Sequence, residues 1–320
     1  MVISARHEQE SVDSLNKSPS IMDSPTATLI GILQDRVESL RAAGDLSEAL
    51  HAANAAVEKS QHALGPDLDS IDAFAFALEI RGDIYRELGD FEAAREDYRQ
   101  AIDQLQERPD RFGQVGRLHA ALGAAHDGAG REEYAVKYWL LAIEFFERHD
   151  PPLLMDIAAM ANNLGFLTKA SGDWEVAEAH FLRALEILHS LLGQEHEQTA
   201  TVSSNLGALY HATGFFEQAR EMHMMSLDTR RKLLGEEHPD TAQSRNNLAL
   251  ALLNTGDRSW ARGHFERALA DFEALGPEYH PDLEAVAMNY CDFLRQEGEE
   301  TRAEAIAGRV RETIGQSLPG

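Results

Sequence analysis

The sequence predicts an all-α fold, a solenoid of helix pairs, and three observations predict it. Glycine recurs at a fixed interval: Gly130, Gly172, Gly214, Gly256 and Gly298 are each 42 residues apart, with Gly89 a further 41 residues upstream and Gly44 45 before that. Asparagine keeps the same interval at Asn163, Asn205, Asn247 and Asn289. Between these markers the apolar residues fall at helical spacing, and no strand pattern or long linker interrupts them. A fixed period of this length is the signature of stacked supersecondary units, each unable to bury its apolar face alone.

Residues 1–25 are polar, with few large apolar side chains, as in Glu8-Gln9-Glu10-Ser11 and Ser18-Pro19-Ser20. Such a segment cannot offset the entropy of ordering, so a disordered tail is expected there. Seven units are expected to follow over residues 26–315, at about 27–64, 68–107, 110–149, 152–192, 195–234, 238–275 and 280–315. Residues 316–320 should fray.

Each unit reads as two helices about its glycine. After Gly89 the apolar positions are Phe91, Ala94, Tyr98, Ala101, Ile102 and Leu105; after Gly172 they are Trp174, Ala177, Phe181, Ala184, Leu185 and Leu188, at the same offsets. This is one stripe on a 3.6-residue helix, with charged residues elsewhere. Small alanines let neighbouring helices approach, and the aromatic fills the adjoining hole. The helix before each glycine has its own pattern, such as Val202, Leu206, Gly207, Leu209 and Tyr210, and the glycine supplies the backbone freedom to turn the chain back. The connections recur too: Leu192-Gly193-Gln194-Glu195-His196 matches Leu234-Gly235-Glu236-Glu237-His238. His238-Pro239-Asp240-Thr241 carries start signals, with Pro at the entry and Asp or Thr as the expected N-cap.

Several units depart from the pattern. Unit one has Ala where the aromatic belongs, unit three has Glu132 in place of its first aromatic, and unit five has His223 and Ser226 at the aromatic and second alanine positions. The run Glu221-Met222-His223-Met224-Met225 reads as core filler on an off-pattern helix. The last helix lacks aromatics and is flanked by Glu299, Arg302, Glu304, Arg309 and Arg311, the polar face a terminal repeat requires.

Composition narrows function. With 54 Asp and Glu against 29 Lys and Arg, the formal net charge is −25. This disfavours nucleic acid, whose affinity rests on clustered Lys and Arg, and equally an anionic membrane surface. One cysteine, Cys291, excludes an internal disulfide and a cysteine-based zinc site, and reads as a small core residue. Met1 to Glu10 lack the apolar run of a secretory signal, and no apolar segment of 18 residues exists, so a cytoplasmic location is expected.

Gly at the turn, Ala five residues on, an aromatic nine on and Ala twelve on resembles the tetratricopeptide repeat. Gly89, Ala94, Tyr98, Ala101 and Gly172, Ala177, Phe181, Ala184 both fit it. The 42-residue period, with the segments from Leu234 to Ala242 and from Asn246 to Leu250, is similar to the kinesin light chain subclass. The resemblance covers roughly residues 27–315 and implies a right-handed α-solenoid of about seven helix pairs. It also implies that the first helices of successive units line a concave groove that receives a peptide.

Asn163, Asn205, Asn247 and Asn289 share one position on those helices. An amide can donate to a peptide carbonyl and accept from its N–H, so a ladder of them would read backbone. The alternative is that each asparagine only orders helix packing. Around the ladder the groove is expected to include Asn162, Phe166 and Lys169 in unit four, Thr201, Ser204 and His211 in unit five, Gln243, Asn246, Leu250 and Asn254 in unit six, and Asp292 and Arg295 in unit seven. Phe76, Glu79, Asp83, Arg86, Arg117 and Asp127 are the variable positions of units two and three. Some tetratricopeptide domains clamp a terminal carboxylate with Lys and Arg; the matching positions here hold Asn162, Ser204, Asn246 and Met288.

No metal or cofactor site is expected. His196, His238 and His280 recur because the connection recurs, and one unit's spacing is too wide to share an ion. No nucleophile elbow, phosphate-binding loop or dinucleotide fingerprint occurs. The reading is a non-enzymatic scaffold that binds neutral to basic peptide or protein segments. A receptor that closes on a small peptide or metabolite is the alternative, and an enzyme with a groove site ranks third.

Overall fold

The computed structural model describes the chain from Pro25 to Gln316. The disordered tail expected at residues 1–25 and the frayed end at 316–320 lie outside the described residues, save for Pro25 and Gln316, each of which ends a helix. Among the described residues are fourteen α-helices and no strand: α1 Pro25–Ala42, α2 Leu46–Ala63, α3 Leu68–Glu87, α4 Phe91–Leu105, α5 Phe112–Gly128, α6 Glu132–Arg148, α7 Leu154–Ala170, α8 Trp174–Leu192, α9 Glu197–Ala212, α10 Phe216–Leu234, α11 Pro239–Thr255, α12 Arg258–Ala274, α13 His280–Gln296 and α14 Glu300–Gln316. Short 3₁₀ turns, Pro109–Arg111 and Pro277–Tyr279, lead into α5 and α13. The fold class is all-α, seven turn-linked helix pairs of the α-solenoid kind.

The helices form two compact units that divide within α7, between Leu167 and Thr168. In the N-terminal unit each helix from α1 to α6 packs on the next, and the first helices also touch, α1 on α3 and α3 on α5. The C-terminal unit repeats the scheme from α8 to α14, with α9 against α11 and α11 against α13. Such nearest-neighbour packing is how a solenoid buries a continuous core without long-range pairing.

The expected turn glycines all take a left-handed backbone, from Gly44 at φ 77° to Gly298 at φ 79°. Elsewhere in the helices glycine serves close packing. A Cβ on Gly82 would meet the Tyr98 ring at 2.7 Å, and one on Gly207 would meet His223 at 2.8 Å. The predicted stripes are largely buried: Ala94, Tyr98, Ala101 and Leu105 in α4, and Ala177, Phe181, Ala184 and Leu188 in α8. Cys291 is buried as well, its thiol donating to the Ala303 carbonyl at 3.3 Å. Across α14, Ala303, Ile306 and Val310 face inward, while Arg302, Glu304, Arg309 and Arg311 are exposed.

Three expectations are corrected. His238, not Asp240 or Thr241, caps α11: its Nδ1 accepts from the Asp240 N–H at 3.2 Å because Pro239 occupies the first helical position. His196 caps α9 in the same way, so these recurring histidines hold helix ends. Trp174, read as part of the α8 stripe, is 43% exposed at the first position of its helix. Nor is the methionine run a core filler, because Met224 is 48% exposed and only His223 and Ser226 of that segment are buried.

Candidate peptide-binding face

In the C-terminal unit, α9, α11 and α13 stand side by side, and the 42-residue register places equivalent side chains next to one another. Asn205, Asn247 and Asn289 are half-buried on this row, with Ser204 beside Asn205 and the exposed Met288 beside Asn289. The amides link successive helices. Asn289 Nδ2 donates to Asn246 Oδ1 at 3.1 Å, and Asn247 Nδ2 reaches Ser204 Oγ at 3.4 Å. Gln243 Nε2 donates to Asn247 Oδ1 at 3.0 Å. Two turns further on, Asn254 Nδ2 lies 3.0 Å from His211 Nε2 and donates to the neutral ring. Burial holds the His211 imidazole below its ordinary pKa, which keeps that ring an acceptor.

The face carries little charge. Thr201, Ser204, Asn205, Gln243, Asn247, Leu250 and Met288 are uncharged, and among the expected positions of α9, α11 and α13 an ion pair joins Asp292 to Arg295 at 2.8 Å. Both residues of that pair are exposed.

Not every expected position lies open. Asn246 is buried, acting as acceptor for Asn289. Thr201 is engaged from behind, where Arg230 Nη2 donates to its hydroxyl at 3.0 Å. Arg230 is itself buried and also binds Glu197 at 2.9 Å and Ser244 at 3.1 Å, so it pins α10 to both α9 and α11. Sequence reasoning missed Arg230; within Arg230-Arg231-Lys232 it looks like any solvated basic residue. Lys169, at the end of α7, is half-buried, and burial lowers its pKa. His223, whose pKa falls to about 4 chiefly through burial, also feels His211 and Lys169.

The N-terminal unit holds the remaining expected residues. Asn162 and Asn163 are buried on α7 and Phe166 is half-buried. Its first helices are joined by charged groups. Gln114 Nε2 of α5 donates to Glu79 of α3 at 2.9 Å, and burial raises the pKa of that carboxyl. Asp83 accepts the Tyr98 hydroxyl at 2.8 Å and lies 3.8 Å from Arg41, which also pairs with Glu87. Asp156, raised by burial, is held down in part by Arg117. Among the described residues no group of three or more His, Cys, Asp or Glu could hold a metal ion, and no helix is long and apolar enough to cross a membrane.

The architecture and the repeat register coincide with a known family. Tetratricopeptide repeat profiles match residues 156–231, 200–274 and 75–107. This is a tetratricopeptide repeat protein. Among solved structures it is similar to BtubC (BKLC) from P. vanneervenii, with 27% identity and a TM-score of 0.62 over 71% of this chain and 90% of that one. Nearly identical TPR-like repeats from Podosopora anserina, described under kinesin light chain, match at 20% identity and a TM-score of 0.51, over 61% of this chain and 93% of theirs. RapI in its apo form shares the fold at 15% identity and a TM-score of 0.61, covering 90% of this chain and 99% of its own. No curated protein matches. The tetratricopeptide chain thus has kinesin-light-chain-like relatives, and its fold is one that presents surfaces for protein interaction.

Proposed function

We propose that this tetratricopeptide protein is a non-enzymatic scaffold that holds an extended peptide segment against α9, α11 and α13. The observation that carries the reading is the row of half-buried amides at Asn205, Asn247 and Asn289 on a nearly uncharged face. An amide row spaced by helix packing suits the main chain of an extended peptide, whose donors and acceptors also alternate. Leu250 and Met288 offer apolar and adaptable contacts beside it.

Neutral to basic segments are the expected partners. The face itself imposes no charge, while the net −25 of the chain favours the approach of cations and repels nucleic acid. A lone buried thiol accords with a reducing compartment, the cytoplasm.

The test is a peptide-display selection followed by fluorescence anisotropy on the selected peptides. Replacing Asn205, Asn247 and Asn289 together by Ala should weaken binding at least tenfold while the helical circular dichroism is retained. Undiminished affinity in that variant would overturn the assignment.

A further inference from the structure

A second candidate site lies on the second-helix side of the C-terminal unit, away from the amide row. A cavity of about 480 Å³ opens between α10 and α12 and is floored by Arg245 of α11. That volume falls within the range of small-molecule sites.

Two features make the cavity more than a gap between helices. The first is Gly263, in the middle of α12. Glycine is a poor helix residue, and Gly82, Gly116, Gly123 and Gly207 are each required because an added Cβ would strike a ring. Gly263 has no such reason, since a Cβ there would find nothing within 4 Å. The glycines with equally open surroundings inside other helices, Gly31, Gly308 and Gly315, lie in α1 and α14, whereas α12 packs between α11 and α13. At the registers equivalent to Gly263 the other units carry His51, Glu96, Lys137, Ala179, Glu221 and Ala305. Gly263 lies on the exposed side of α12, and the missing side chain leaves the cavity open beside it. Beside it Trp260 lines the wall with its indole 69% exposed, the most exposed large apolar side chain described.

The second feature is charge. The three guanidinium groups that line the cavity are linked through carboxylates into one chain. Arg231 donates to Glu236 at 2.7 and 2.9 Å, Arg245 pairs with Glu236 and with Asp271 at 2.6 Å, and Arg267 pairs with Asp271 at 2.9 Å. Asp228 lies 3.9 Å from Arg231, so the chain joins three guanidinium groups to three carboxylates, with Arg231 and Arg267 as its solvent-facing cations. Its inner members, Arg245 and Asp271, are buried, while the terminal Arg231 and Arg267 are about half exposed and keep donors for a ligand.

We propose that this cavity binds a nucleoside phosphate, with the base on the Trp260 indole over Gly263 and the phosphate between Arg231 and Arg267. An exposed indole next to a gap suits a planar ring, and guanidinium forks suit phosphate oxygens. The Ser259 hydroxyl, which also lines the cavity, can pair with the hydroxyl or amino groups of a ribose or base, which a phosphotyrosine ring lacks.

Calorimetric titration of the full chain with AMP, adenosine, inorganic phosphate and phosphotyrosine tests this. AMP should bind more tightly than the other three. Gly263→Leu should abolish AMP binding without lowering the denaturation midpoint, because leucine is the better helix former. Arg231→Ala with Arg267→Ala should weaken AMP about ten- to hundredfold, the loss of charge-assisted bonds, and leave adenosine unchanged. The variant with Asn205, Asn247 and Asn289 replaced should bind AMP normally, so failure of the amide face leaves this site standing. No heat with millimolar AMP, AMP binding that survives Gly263→Leu, or tighter binding of phosphate or phosphotyrosine than of AMP would overturn the proposal.

Discussion

The two units join their successive first helices by different chemistry. In the N-terminal unit the links are carboxylates with their partners: Arg41 to Asp83 and Glu87, and Gln114 to Glu79. In the C-terminal unit they are neutral, Asn247 to Ser204, Asn289 to Asn246 and Asn254 to His211. The repeat core beneath is the same in kind. What differs is the solvation penalty at the surface: a half-buried carboxylate must keep its partner, whereas an amide can exchange one neutral partner for another at little cost. The neutral row is thus the better place to exchange a neighbouring side chain for a peptide.

The largest effect should fall on what the units share. Trp139→Ala in the N-terminal unit and Phe265→Ala in the C-terminal unit each empty a buried aromatic site, and each should cost about 3–5 kcal/mol. Hydrogen exchange resolved by residue would locate the loss, and a marked inequality would show that the two cores are not equivalent.

Acidification should weaken both units. His119 and His126 in the N-terminal unit and His223 in the C-terminal unit have pKa values depressed to about 4, in each case chiefly by burial. A base depressed in the folded state binds its proton more readily when unfolded. Stability is therefore full above about pH 6.5 and falls as the pH drops toward 4, by about 2–3 kcal/mol per histidine at the end of that range. The burial-raised carboxyls Glu79, Asp127 and Asp156 act in the opposite direction once they protonate. The loss should show most clearly between pH 6.5 and 5 in both units, with the half-buried His180, His211 and His264 adding to it in the C-terminal one. Denaturation midpoints across that range, read beside local exchange, provide the check.

A smaller effect concerns the off-pattern fifth unit. His223 sits against Gly207 where Phe181 and Phe265 stand in its neighbours, and its buried Nδ1 has no partner. His223→Phe removes that unsatisfied nitrogen and should raise stability by about 1 kcal/mol. It should also flatten the pH dependence of the C-terminal unit. A destabilised variant, or an unchanged pH slope, would show that the imidazole has a use in the folded state.

The sequence made the helix pairs legible because periodicity reports which face of a helix is buried, and the turn glycines because only they tolerate the backbone the turn requires. The asparagine row was legible for the same reason. What periodicity does not encode is who meets whom across helices. Arg230 and Arg245 are buried only because Glu197 and Ser244, or Glu236 and Asp271, come to them from other elements. His238 read as one residue of a connection because Asp240 or Thr241 was the expected cap, although Pro239 at the entry already places the cap one residue before it. The cavity beside Gly263 depends on the open space around that residue, which no one-dimensional pattern carries.

The smallest difference bears most directly on the comparison. Asn289 donates to the buried Asn246 at 3.1 Å, so Asn289→Ala would leave that carbonyl without its donor and should cost about 1 kcal/mol. Asn247 reaches Ser204 only at 3.4 Å, with both side chains half-buried, and water can replace that bond. Asn247→Ala should therefore cost less than about 0.5 kcal/mol, within the range of ordinary surface changes. If the row serves a ligand, the two substitutions should nonetheless weaken peptide binding to a similar degree, since each removes one amide from the same face. If the row only orders packing, the binding losses should follow the stability losses, with Asn289→Ala ahead of Asn247→Ala. Denaturation and anisotropy on the two single variants thus separate a structural amide from one available to a partner.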